Sequence, residues 1–152
     1  MRKILLLIFT FFSLTSFAQI DVQSLYDSST ETLTLLVKNN TGKLFRLCPF
    51  PGQDYYEPGS ASFIVLRYKD VSGKVLFRRS FFVSEQLPIS ESTKGKFLFK
   101  YGKNKYVYDL KKLYKGNIND IYEVDVHIQM EAVSLKDKKD VYKEVIVKTY
   151  RW

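Results

Sequence analysis

The chain has 152 residues, 24 Lys and Arg against 16 Asp and Glu, a net charge of +8, and 16% aromatic residues. One cysteine, Cys48, excludes any internal disulfide, so packing alone must hold the fold even in an oxidising compartment. The length suits one domain with its own core and leaves little room for two.

The first 18 residues read as a cleaved export signal. Arg2 and Lys3 give the positive start, Ile4 to Leu14 an apolar run broken by Thr10 and Ser13, and Ser16-Phe17-Ala18 the small residues of a cleavage site before Gln19. The run falls short of the ~20 residues that span a bilayer, so no membrane-spanning anchor is expected. The short start and the Phe-Ala-Gln ending resemble export signals common in Bacteroidetes, which implies a periplasmic or extracellular destination. Removal leaves residues 19–152 as one domain, with 22 basic residues against 16 acids, a net +6.

Ile20 to Leu25 reads as a weak first strand, at an edge. Thr32 to Lys38 is a stronger one, with Leu33, Leu35 and Val37 on one face. Asn39-Asn40-Thr41-Gly42 is turn chemistry, and Leu44 to Cys48 returns from it as a short strand whose apolar neighbours predict a buried thiol. Residues 49–61 hold Pro49, Pro51, Gly52, Pro58 and Gly59 and are irregular. Ser62 to Asp70 and Lys74 to Val83 flank Val71-Ser72-Gly73 as a hairpin. The second arm is apolar on both sides in places, as an interior strand is.

Residues 84–94 are a polar loop. Lys96 to Tyr101 alternates Phe97, Phe99 and Tyr101 against Lys96, Leu98 and Lys100, and Tyr106, Tyr108 and Leu110 continue beyond a bend at 102–104. Asp109 to Tyr114 reads as one helical turn with Leu110, Leu113 and Tyr114 inward. Tyr122 to Met130 alternates most strictly, with Tyr122, Val124, Val126, Ile128 and Met130 against Glu123, Asp125, His127 and Gln129. Such a strand turns one face to a core and the other to water, and it is expected at the centre of a sheet. A charged turn at 134–140 leads to a last strand, with Val145 and Val147 on one face and Tyr142, Ile146, Tyr150 and Trp152 on the other. The expectation is an all-β antiparallel sandwich of eight or nine strands with one short helical turn near 109–114.

Leu110 and Leu113 followed by Tyr122-x-Val124-x-Val126 resemble the corner before the penultimate strand of immunoglobulin-like and fibronectin-type domains. The resemblance implies an immunoglobulin-like sandwich in which a tyrosine hydroxyl bonds back to the corner. Val124 stands where antibody domains carry their second cysteine, so the disulfide-bearing subclass is excluded. Leu33-Thr34-Leu35, Asn40-Thr41-Gly42, Gly52-Gln53 and Asp70-Val71-Ser72-Gly73-Lys74 also resemble, in that order, the strands and turns of bacterial proteinase-inhibitor-like sandwich domains.

No catalytic motif stands out, and no cofactor or metal is expected. His127, the only histidine, lies among acids on one strand face, where a solvated or cross-strand-paired role outweighs metal binding. Cys48 and His127 are the only nucleophile–base pair, and apolar neighbours leave the thiol inert. Two stretches read as binding features. Asp54, Tyr55, Tyr56 and Glu57 sit mid-loop, where tyrosines give contact area at small entropic cost. Residues 94–115 carry eight lysines against Asp109, among them Lys96, Lys100, Lys103 and Lys105, interleaved with aromatics. In an exported chain such a stretch suits an acidic protein, lipopolysaccharide or a polyanionic glycan and not nucleic acid. Alternatively, these lysines simply keep strands soluble. The expected function is a non-enzymatic module that binds another protein at the cell envelope, an inhibitor or immunity-type protein among the forms weighed. The alternative is a glycan-binding module using its aromatics.

Overall fold

The computed structural model describes residues 19–48, 62–83 and 94–152. In these, nine strands run in the order β1 (Ile20–Asp27), β2 (Thr32–Asn39), β3 (Phe45–Leu47), β4 (Phe63–Lys69), β5 (Val75–Phe82), β6 (Phe97–Leu98), β7 (Lys103–Asp109), β8 (Glu123–Ser134) and β9 (Val141–Arg151). One α-helical turn, α1 (Leu110–Leu113), and a 3-10 turn, Ile118–Asp120, lie between β7 and β8. Residues 1–18, 49–61 and 84–93, which hold the expected export signal and most of the two stretches expected to be loops, lie outside the described residues.

All pairings are antiparallel. The smaller sheet is β1-β2-β7. In the larger, β8 pairs β9 along Glu123–Val133 on one side. Its other side pairs β4 over Glu123–Gln129 and β3 over Ala132–Ser134. β3 and β4 therefore form one strand line interrupted at Glu131. The break is closed by hydrogen bonds: the Cys48 amide and the Ser62 hydroxyl both donate to the Glu131 carbonyl (2.8 and 2.6 Å), and the Ser62 amide donates to the Cys48 carbonyl (2.6 Å). The two ends of the 49–61 loop thus meet at one point of the central strand. β5 and β6 extend the two halves of that line outward.

The strict alternation of the central strand becomes strict burial. Val124, Val126, Ile128 and Met130 are buried against Leu33, Leu35, Val37, Leu66 and Tyr68 from both sheets. Each such aliphatic side chain contributes roughly 1.5–3 kcal/mol through area removed from water. Three buried tyrosines fix the margins of this core. Tyr68 donates to the Leu110 carbonyl (2.8 Å), Tyr108 to that of Val83 (2.7 Å) and Tyr106 to that of Gly95 (2.7 Å). Burial pushes their hydroxyls up, that of Tyr106 to about 12.

Three expectations need correction. β5 is an edge strand among the described residues, pairing β4 alone, and its arginines and half-buried rings sit at the sheet margin. Around 96–101 only Phe97–Leu98 forms a strand, and Leu98 faces the core while Phe99 and Tyr101 face water. Tyr122 precedes the strand and is not the corner tyrosine. Its hydroxyl accepts from Arg151, whose guanidinium also lies over its ring, whereas Tyr68 clamps the α1 corner.

Candidate binding surfaces

One end of the sandwich is assembled from three turns: residues 40–44 between β2 and β3, 99–102 between β6 and β7, and 135–140 between β8 and β9. Asn39 ties the first two together. Its fully buried amide donates to the carbonyls of Lys43 (2.7 Å), Leu98 (3.1 Å) and Phe99 (3.0 Å), and its Oδ1 accepts from the Thr41 amide and hydroxyl. The Tyr101 amide donates to the Thr41 carbonyl, the Leu135 amide to that of Leu44, and Lys43 pairs with Asp140. All three turns are thereby fixed relative to one another.

This end displays apolar surface inside a basic frame. Phe99 is 51% exposed, Tyr101 74% and Leu135 51%. Lys43, Lys100, Lys136, Lys138 and Lys139 are exposed on the same three turns, with Lys43 paired to Asp140 and Asp137 also exposed. Tyr101 adopts φ +52, a left-handed conformation that costs an L-residue roughly 1–2 kcal/mol. Gly102 beside it is required by space, since a Cβ there would meet the Phe99 carbonyl oxygen at 2.9 Å. The turn therefore accepts backbone strain to hold an aromatic ring in water.

The lysines read from sequence separate. Lys100 belongs to this end and is exposed, while Lys96 is half-buried at the close of a 3-10 turn, Lys94–Lys96. Lys103 and Lys105 lie on the outer face of edge strand β7, where Lys38 of β2 stands directly opposite Lys103. Asp54, Tyr55, Tyr56 and Glu57 lie outside the described residues. Sequence reading did not associate Lys43, Leu135 and Lys136 with Tyr101. Only their shared position in turns hinted at it.

His127 sits on the outer face of the large sheet, its ring centroid 6.1 Å from that of Phe63. It lines a groove of about 250 Å³ with Val65, Arg67, Lys69, Asp125, Val147 and Thr149. Lys69 pairs with Asp125 (2.7 Å) and Glu123 (3.2 Å), and Thr149 donates to Asp125. Burial opposes ionisation of Asp125, but the Lys69 and Thr149 hydrogen bonds outweigh it and hold the carboxyl below its usual range. Among the described residues no three His, Cys, Asp or Glu side chains are grouped so that they could hold a metal ion.

Cys48 is 2% exposed beside Glu131, which is itself buried and paired with Lys143. Burial, then the Glu131 charge, pushes the thiol up to about 12. Its backbone anchor on β8 is four residues from His127, roughly 13 Å along the strand. A disulfide-exchange reagent at pH 8 is expected to leave the native protein unlabelled and to label one thiol per chain in denaturant. Rapid native labelling would show that the site opens readily.

No protein-family model matches the chain, and no curated protein does. Among solved structures it is similar to the X-ray structure of Northeast Structural Genomics Consortium target SoR45. That match covers 87% of this chain and 83% of the other, at 13% identity and a TM-score of 0.43.

Proposed function

We propose that the protein is an exported, non-enzymatic binding module that recognises another protein at the cell envelope through the three-turn end at 40–44, 99–102 and 135–140. Tyr101 carries this reading. A ring left 74% exposed on a left-handed backbone gains little from burial, and such strain concentrates where a surface is kept for recognition. Phe99 beside it and the lysines around it describe an apolar centre with a charged rim, the anatomy of a protein interface with an acidic partner. The architecture is read as immunoglobulin-like, of fibronectin type. The three-strand β1-β2-β7 order against a four-line sheet of β9, β8, β3/β4 and β5/β6 supports it. In such folds, loops at one end of a rigid sandwich serve recognition. An inhibitor or immunity-type protein, presenting Tyr101 to an enzyme's cleft, is the specific form.

Glycan binding is the second reading, favoured by the two exposed rings, on whose faces a sugar stacks; a polyanionic glycan or lipopolysaccharide would also meet the lysines. Crosslinking capture from an envelope fraction with the wild type and with Phe99→Ala/Tyr101→Ala decides. The expected result is a captured protein lost in the variant, with unfolding free energy lowered by no more than about 1–2 kcal/mol, since Phe99 is half exposed and touches Phe97. Glycan-array signal with no captured protein favours the second reading. Equal capture by both proteins removes this surface from the argument.

A further inference from the structure

The edge strands of this sandwich differ in how they are protected. β5 carries a register shift at Tyr68/Lys69 and adjacent Arg78 and Arg79, and β7 places Lys103 and Lys105 on its outer face. Bulges and charges of this kind keep strand edges from pairing with other chains. β9 carries Lys143, Lys148 and Arg151, but it has neither a proline nor a break in its register with β8 over 11 residues, and among the described residues β8 is its sole sheet partner.

The direction of its hydrogen bonds follows from its ends. The Trp152 amide donates to the Tyr122 carbonyl and the Ser134 amide to that of Asp140. Even-numbered β9 residues therefore bond to β8, because antiparallel pairs alternate. The backbone groups of Val141, Val145, Val147 and Thr149 point outward along the free edge. Val145 and Val147 are also 56% and 68% exposed as side chains.

We propose that β9 pairs with β9 of a second copy of this chain, antiparallel about a two-fold axis at Ile146, joining the two large sheets into one. Three observations select this occupant and this register. First, Ile146 is the midpoint of the strand, so all 11 residues find partners, and the outward-bonding odd residues meet each other as hydrogen-bonded pairs. Second, Val145 of each copy faces Val147 of the other, which joins four exposed valines into one covered patch. Third, Glu144 falls opposite Lys148 of the second copy, twice by symmetry, while Lys143 faces Thr149 and Tyr142 faces Tyr150. Opposite charges across a strand pair stabilise it and like charges oppose it. Within one chain Glu144 accepts from Tyr142, and Lys148 donates to the Ser24 carbonyl (3.3 Å). Burial and the nearby Asp21 raise the Glu144 carboxyl, a setting that a cation from the second copy relieves.

Sedimentation velocity on the purified protein at about 100 µM is expected to show a dimer, as micromolar association requires. Glu144→Lys and Lys148→Glu each replace two attractive pairs by two repulsive ones and should weaken the dimer by about tenfold or more. Combining them exchanges the charges and should restore it. Circular dichroism separates this from misfolding. For register, Val145→Cys mixed with Val147→Cys should crosslink on oxidation, because hydrogen-bonded antiparallel partners lie about 5.5 Å apart between Cα atoms. Either variant alone should crosslink poorly. A monomer at this concentration, a Glu144→Lys protein that dimerises as tightly as wild type across a dilution series, or equal crosslinking of Val145→Cys alone would overturn the proposal.

Discussion

Replacing Asn39 by alanine is expected to lower the unfolding free energy by about 3–4 kcal/mol, an amount that follows from leaving several buried backbone groups without partners at about 1–3 kcal/mol each. Asn39 is wholly buried, and its side chain satisfies the Leu98 carbonyl, shares the carbonyls of Lys43 and Phe99, and accepts from the Thr41 amide. The groups nearest the surface recruit water when the amide is gone, so the losses do not sum in full. In a domain of this size the melting temperature should drop by roughly 10–15 °C. Urea unfolding followed by circular dichroism measures the change, and a loss under about 1 kcal/mol would refute the assignment. Asn39→Asp sharpens the test. It keeps the acceptor for Thr41 but turns a carboxylate oxygen toward three carbonyls, so the folded state should raise that carboxyl above its unfolded value. An acid raised on folding favours the native state only while protonated, and the variant should lose stability as pH rises through the carboxylate range. Wild type should not share that slope. Because Asn39 also anchors the turn that carries Phe99 and Tyr101, the alanine variant should weaken partner capture more than its residual fold predicts.

Asn39 also shows what could be read in the sequence and what could not. As a turn residue it was visible, because Asn before Thr and Gly is local chemistry. Its bond to the Leu98 carbonyl, 59 positions away, is not local and leaves no pattern in the chain. The strands that alternate strictly, β2 and β8, were legible with their buried faces, and so were the Asp70–Gly73 hairpin and the α1 turn. In that hairpin Asp70 accepts from the Ser72 and Lys74 amides and Gly73 takes φ +82, as the residue types require. Where both faces of an alternating stretch carried apolar residues, the reading failed. Phe99 and Tyr101 looked like core partners of Phe97, yet Leu98 is the residue inside, because aromatic content alone does not choose a face. β3 and β4 looked like separate strands. That they share one side of β8 depends on pairing between residues 45–69 and 123–134, which composition does not encode. The candidate binding end was partly named through Lys100. Its other members come from the turns at 40–44 and 135–140, and folding alone gathers them.

The second large effect is expected at Tyr68. Tyr68→Ala should cost about 4–5 kcal/mol, since removing a buried ring costs about 3–5 and its lost hydrogen bond adds to that. The ring is packed against Tyr114, Phe77 and Trp152, with centroids at 4.9, 6.1 and 6.2 Å, and these join the middle of the large sheet to its margin and to the end of the chain. The rings around it are rigid and cannot bend into the space, so a cavity should persist. Tyr68→Phe isolates the hydroxyl. It leaves the packing intact and takes the donor from the Leu110 carbonyl, for about 1–2 kcal/mol. Tyr122→Phe is the matched control. Its hydroxyl faces Arg151 at the surface, where an exposed pair is worth about 0–1 kcal/mol, so the change should be small. The resemblance to immunoglobulin-like corners pointed to Tyr122, and the geometry moves the clamp to a different strand while keeping its chemistry, a buried phenol donating to the corner backbone. Chemical unfolding of the three variants distinguishes the two assignments. A neutral Tyr68→Phe with a costly Tyr122→Phe would return the role to Tyr122 and would place the α1 corner under a different restraint.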